Sequence, residues 1–251
     1  MPSHAHHAIQ IVIAIDGCIA ICGADGGWRE SRGVVVRPDA EHSFDCNGAR
    51  GVMLFVDPES TEGAWLAASL RQDITDIPDP RLDAVVSEFR VLTNDADEEG
   101  HVVEGIRRAV HALRPGLAPA PRLDSRVTTV LAAIRGADDL RISLERAAEM
   151  AFLSPTRFAH VFKDQVGLPF SRYMLWRKLT RAMVAIGSEE TIAAAAHAAD
   201  FADAAHLTRT FYQMVGMAPS VLMRCDFIEI ASPFGTMPPR SAPPESPRPP
   251  E

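Results

Sequence analysis

One segment of this chain is written twice, and that repeat constrains the fold more than any other feature. Sliding residues 144–174 by 49 lays them on residues 193–223. Phe152 then falls on Phe201, Phe162 on Phe211, Val166 on Val215, Gly167 on Gly216, Ser171 on Ser220 and Met174 on Met223. Phe158 meets Leu207, and Ser154 meets Asp203. Similarity at a fixed offset means two copies of one supersecondary unit. Each copy reads as a helix, a turn of about four residues, a second helix, then glycine and the start of a third.

The local chemistry of the copies agrees. Ser143 is placed to cap a helix running to about Met150. Ser154-Pro155 then sets a capping hydroxyl before a proline at the first helical position. Along that helix Phe158, Val161 and Phe162 face inward, while Thr156, Arg157, Ala159, His160 and Lys163 face outward. Gly167 stands where a helix C-cap needs positive φ. In the second copy Asp203 is the cap, Leu207 and Phe211 pack inward, and His206, Thr208 and Arg209 face out. A short exposed helix held across a supporting one is the helix-turn-helix arrangement, which enters the DNA major groove. Between the copies, Ser171 to Ile186 spans roughly 24 Å as a helix. A spacer of that size sets two reading helices about one DNA turn apart. Arg172, Arg177, Lys178 and Arg181 cluster on it and are placed to meet phosphate or acidic neighbours.

Residues 124–225 resemble the DNA-binding domain of the AraC family of bacterial transcription regulators. The resemblance rests on Ser143-Leu-Glu-Arg-Ala-Ala148, Leu153-Ser-Pro-Thr-Arg-Phe158, Val161-Phe-Lys163, Gly167, Phe170-Ser-Arg-Tyr173, Thr191-Ile-Ala193, and Leu207-Thr-Arg-Thr-Phe211 through Gly216-Met-Ala-Pro-Ser220. It implies two helix-turn-helix units reading adjacent major grooves. The DNA-binding residues it implies are Thr156, Arg157, Ala159, His160 and Lys163, then Ala204, Ala205, His206, Thr208 and Arg209. The chain departs from the family at Asp200, where glycine usually makes the turn, at Ala195, where a larger aliphatic residue is common, and at Tyr212, which replaces a frequent basic residue. Ala204 and Ala205 cannot hydrogen-bond a base edge, although an alanine methyl can touch thymine.

The first half has a different texture. Residues 8–15, 18–23, 33–37 and 51–56 are short β-branched runs punctuated by glycine, proline and asparagine, which predicts a small barrel or sandwich. Residues 60–71, 80–92 and 97–113 carry helical spacing, the last with a stripe of Val102, Val103, Ile106, Val110 and Leu113. Residues 1–58 resemble the cupin-like sensor barrel attached to many such regulators, on His7-Ala-Ile-Gln10, Gly33-Val-Val-Val-Arg-Pro38 with His42 following, and Leu54-Phe-Val-Asp-Pro-Glu-Ser60. That resemblance implies a small-molecule effector, with His7, Gln10, Trp28 and His42 as candidate effector-binding residues, and helices after the barrel that form a homodimer.

The fold expected is therefore α+β: a cupin-like β-barrel followed by helices, then an all-α domain with two helix-turn-helix motifs. The boundaries are 1–113 for the sensor and dimerisation domain, 114–122 for a Pro-rich linker, 123–225 for the DNA-binding domain and 226–251 for a disordered Pro-rich tail. Net charge divides the same way, at -9 over 1–121, +3 over 122–225 and -2 over 226–251. So modest an excess means that phosphate contact depends on where charge is placed. No run of 18 apolar residues occurs and no CxxC pair is present, which fits a reduced cytoplasmic setting without a membrane span.

No catalytic residue, cofactor or metal site is assigned. Cupin enzymes hold a metal with histidines and a carboxylate, but Gln10 stands at the carboxylate position and the second motif is a residue short. His4, His6 and His7 read as terminal residues of the kind that are often disordered. The function expected is a sequence-specific DNA-binding transcription regulator under effector control, with double-stranded DNA as partner. The alternatives are a metal-dependent cupin enzyme with a DNA-binding appendage and a degenerate interaction module.

Overall fold

The computed structural model describes residues 1–94, 108, 110–113, 123–187 and 191–222. Strand β1 (Ile9–Ala14) is the centre of the first half, and all six of its residues are buried. It lies antiparallel between β6 (Gly51–Val56) and β4 (Gly33–Val36), and β7 (Ile74–Asp76) completes a sheet of order β6-β1-β4-β7. A second antiparallel sheet runs β3 (Trp28–Ser31), β2 (Ile19–Gly23) and β5 (His42–Asp45), in that order.

The period of two along β1 sorts its side chains onto two faces. Ile9, Ile11 and Ile13 pack with Leu66 of α1 (Thr61–Ser69) and with Leu82, Val85 and Val86 of α2 (Asp79–Asn94). Val12 and Ala14 join Ile19, Ile21, Val34, Val36 and Phe44 between the sheets. The barrel interior is thus filled by apolar side chains, and Gln10, on the same face as Val12, stands at its mouth.

The sequence signals located the long strands and missed three short ones. β3 is largely polar and exposed, β5 has four residues with two polar ones, His42 and Ser43, buried, and β7 has three residues. Of the expected 97–113 stripe, Val110 and Leu113 pack into the cluster that β1 forms with α1 and α2. Val102, Val103 and Ile106, the 114–122 linker and the 226–251 tail lie outside the described residues.

The second half is helical: α3 (Ser125–Arg135), α4 (Leu144–Met150), α5 (Pro155–Val166), α6 (Phe170–Gly187), α7 (Ile192–Ala198), α8 (Ala204–Val215) and α9 (Pro219–Leu222). α6 is a shared spine. Its Phe170, Tyr173 and Met174 enter the core of the first unit with Phe158 and Phe162. Its Trp176, Leu179, Ala182, Met183 and Ile186 enter the core of the second, with Ala195, Ala196, Phe201, Leu207 and Phe211. Ala8 and Phe55, from the barrel, pack into that second core, so the barrel rests on the second unit.

The two copies do not superpose at one offset. Ser143 and Thr191 cap α4 and α7 at an offset of 48, and the turn bonds Leu153 N to Ala148 O and Phe201 N to Ala196 O keep that offset. Ser154 and Asp203 cap α5 and α8 at 49. The second turn carries one residue more. The expected pairing of Phe152 with Phe201 is therefore corrected. Phe152 corresponds to Asp200, both at positive φ (54° and 58°), and Phe152 is 93% exposed. Phe201 corresponds to Leu153.

Candidate nucleic-acid interface

Helices α5 and α8, the two expected to read DNA, are held at each end by the residues the sequence singled out. The Ser154 hydroxyl accepts from Arg157 N at 3.3 Å, and Pro155 opens α5. An Asp203 carboxylate oxygen accepts from His206 N at 2.6 Å. Gly167 and Gly216 close the helices at φ 92° and 73°, with their N–H groups donating to Lys163 O and Tyr212 O. Only glycine takes such angles without steric cost.

With Phe158, Phe162 and Val166 buried, Thr156, Arg157, His160 and Lys163 stand exposed on α5 and Ala159 is half-buried. On α8 Ala205 and Arg209 are exposed, while Ala204, His206 and Thr208 are half-buried. The Thr208 hydroxyl donates to Ala204 O at 2.7 Å, and the His206 ring meets the edge of Phe201 at 5.2 Å. Neither Arg157 nor Arg209 forms an ion pair with a described residue. The first copy therefore presents more free polar groups than the second.

The basic residues of α6 serve a different end. Arg181 donates to the carbonyls of Ala137 and Asp138, each at 2.6 Å, and Lys178 donates to Asp200 O at 3.0 Å. Arg177 pairs with Asp57 of the barrel at 3.2 Å, both side chains about four-fifths buried. Three of the four cations thus clamp protein segments, and Arg172 remains exposed. The Asp200 carboxylate accepts from Leu140 N at 3.2 Å and lies 3.3 Å from Arg141, tying the turn of the second unit to the loop before α4. Sequence reading missed this tie, because nothing in the pattern places residue 140 beside residue 200.

At the seam with the barrel the N-terminal histidines are corrected from disordered to buried. His4, His6, His7 and His42 are at most 5% exposed, and Gln10 is 1% exposed. His4 pairs with His42 through backbone hydrogen bonds of 3.0 Å in both directions. The His6 ring stacks on Trp176 of α6 at 5.7 Å, and the His4 ring lies against Gly216. Burial, with neighbouring histidines adding to it, pushes His6 down to about 3; burial pushes His42 down to about 4. Burial also opposes the charged form of His7, but Asp39 and Glu59 outweigh it and hold His7 up at about 9. His7 Nε2 donates to Glu59, and its ring packs edge-on to Tyr173. Of the candidate effector residues, His7, Gln10 and His42 share this seam. Trp28 stands apart on β3, 55% exposed.

Residues 147–224 match the family model described as a helix-turn-helix domain. Among solved structures, ToxT from Vibrio cholerae O395 is similar over 88% of this chain and 90% of that one, at 10% identity and a TM-score of 0.56. Unsaturated fatty acid bound ToxT from Vibrio cholerae strain SCE256 is similar over 88% and 90%, at 11% identity and a TM-score of 0.55. An AraC-type transcriptional regulator from Chromobacterium violaceum aligns over 40% of this chain and 90% of that one, at 20% identity and a TM-score of 0.38. No curated protein matches the chain. The whole-chain likeness is one of fold: a barrel-like first domain followed by a helix-turn-helix domain.

Proposed function

We propose that this chain, an AraC-type helix-turn-helix protein with a cupin-like barrel, is a sequence-specific transcription regulator that reads double-stranded DNA under control of a small molecule. The observation that carries the reading is the pair of capped helices, α5 and α8, each with an exposed arginine that no described residue neutralises. Arg157 and Arg209 supply bidentate donors for guanine or phosphate, and Thr156, His160 and Lys163 add contacts on the first unit. In the first turn of α5, where Pro155 has no N–H and Arg157 N is bonded to the Ser154 hydroxyl, the Thr156 amide is offered to a phosphate. The second unit, with Ala204 and Ala205 in the reading row and Thr208 bonded to its own helix, contributes fewer base contacts and more of the backbone grip.

Effector control enters at the seam. The barrel interior is filled by apolar side chains, whereas buried polar groups of the barrel, His7, Gln10 and His42, lie at the seam. A ligand seated there changes how the barrel rests on the second unit. That a ToxT structure carries an unsaturated fatty acid supports a small effector in this architecture. A homodimer belongs to the same reading, as does work in the cytoplasm, where the DNA is. Among the described residues no helix is long and apolar enough to cross a membrane.

Selection from a random duplex pool tests the DNA reading. Recovery of two short elements about 10 base pairs apart supports two reading units. A single element assigns base reading to one unit. No enrichment by either the full chain or the 123–225 fragment, at any salt concentration, overturns the proposal.

A further inference from the structure

We infer that the groove between the loop before α4, helix α5 and helix α6 binds a small organic acid, a carboxylate carried on an apolar body. The groove lies within the helix-turn-helix half, and none of its lining residues comes from the barrel. It encloses about 670 Å³, the size of a small-molecule site. Its floor is apolar: Phe170 and Met174, both less than a tenth exposed, with Leu144 beside them.

The walls carry the opposite character. Arg141, His160, Lys163 and Lys178 line the groove, and among the described residues no acidic side chain does. A cleft lined by one sign of charge focuses its field and draws in the opposite ion. Arg141 is partly neutralised, at 3.1 Å from Asp139 and 3.3 Å from Asp200. Lys178 donates to the neutral carbonyl of Asp200 at 3.0 Å and keeps its charge. Lys163 forms no ion pair with a described residue. Two uncompensated ammonium groups thus enter one apolar groove from two different helices. A phosphodiester uses the cations and leaves the floor bare, and a hydrocarbon does the reverse. A carboxylate on an apolar body uses both, through charge-assisted hydrogen bonds and burial of apolar surface.

The groove owes its place to the length of the spine. α6 runs on past the first unit, so that Lys178 reaches Asp200 in the turn of the second. Leu140, which also lines the groove, donates its N–H to the Asp200 carboxylate at 3.2 Å. One side of the groove is therefore built on the tie between the units, and the other on α5. A ligand spanning it holds α5 against the second unit and occupies His160 and Lys163, so it competes with a duplex for them. That consequence rests on the DNA-binding reading; the binding itself does not.

The test uses the full chain without DNA, titrated in a calorimeter with biphenyl-4-carboxylate. One saturable site per chain is expected, with a Kd below about 1 mM, the level set by a ligand of this size. Biphenyl-4-carboxamide, the body without the charge, and inorganic phosphate, the charge without the body, should each bind at least about tenfold more weakly. Lys163→Glu, which inverts one wall charge, and Ser171→Trp, which fills one end of the groove, should each weaken the acid by at least about tenfold. Arg172→Glu, exposed on α6 and outside the lining, should leave it unchanged. No saturable binding, a carboxamide that binds as tightly as the acid, or affinity that survives both groove substitutions overturns the inference. Phosphate binding as tightly as the acid also overturns it and assigns the groove to a nucleic-acid backbone. Retention of a selected duplex with and without the acid reads the consequence separately. A chain that binds the acid and no duplex overturns the DNA reading and leaves this inference standing.

Discussion

Asp200 bonds through its carboxylate to the backbone N–H of Leu140, sixty positions earlier in the chain, at 3.2 Å. The same residue turns the backbone of the second unit at φ 58° and presents its carbonyl to Lys178. One side chain thus makes the turn and fastens the second unit to the first. Asp200→Asn should keep both the turn and the bond to Leu140 and change stability by less than about 0.5 kcal/mol, since the pair with Arg141 is largely exposed. Asp200→Ala should cost about 2–3 kcal/mol, from a lost hydrogen bond plus the left-handed backbone. Midpoints of urea unfolding compare the two.

The repeat supplies its own control at the ends of the reading helices. A Cβ built on Gly167 meets nothing within 4 Å, whereas one on Gly216 comes within 2.7 Å of His4 Cε1. Gly167→Ala should therefore cost only the backbone term, about 1–2 kcal/mol. Gly216→Ala should cost at least about 1 kcal/mol more, because the ring it meets is packed in the seam. Equal costs in thermal or urea unfolding would mean that His4 is not held against α8.

Arg177 and Asp57 make a nearly dry ion pair between the domains. Removing either partner alone leaves the other charge poorly solvated. Arg177→Ala and Asp57→Ala should each destabilise the chain, and a double-mutant cycle should return a coupling of about 1–2 kcal/mol. A coupling near zero would remove this pair from the seam.

On the DNA side, Arg209→Ala should cost about 1–3 kcal/mol of specific binding and relax the preference at one base position. Asp203→Asn should act in the opposite direction. The amide still caps α8 but no longer sets a negative charge beside an approaching phosphate, so duplex affinity should rise about two- to fivefold. Both follow from equilibrium titrations at several salt concentrations.

Much of the helix-turn-helix half was legible in the sequence because its determinants are local. Ser143, Ser154 and Asp203 cap within three residues of themselves, and Gly167 and Gly216 mark helix ends by their backbone needs alone. The shift of one residue in the second turn was hidden, because Phe201 sits where a fixed slide pairs it with Phe152, and only the turn hydrogen bonds separate the two. In the barrel, β1 and β4 announced themselves through β-branched runs. β3, with Trp28, Arg29 and Glu30 exposed, is a strand because Cys22, Ile21 and Ala20 pair with it, which no local pattern records. The histidines of the first ten residues were misjudged for the same reason. Their burial depends on Trp176 and Gly216, far away in sequence.

The extra residue in the second turn also bears on the DNA. Two identical units related by a twofold axis would read a site the same way from either end. Here the first unit presents Thr156, Arg157 and His160, and the second presents alanines and Arg209 from a differently built turn. On the proposed DNA reading, a site matched to this chain therefore has polarity. Bound to it, the chain would point one way along the duplex, so reversing the site without moving it would turn the barrel toward the opposite side of the gene.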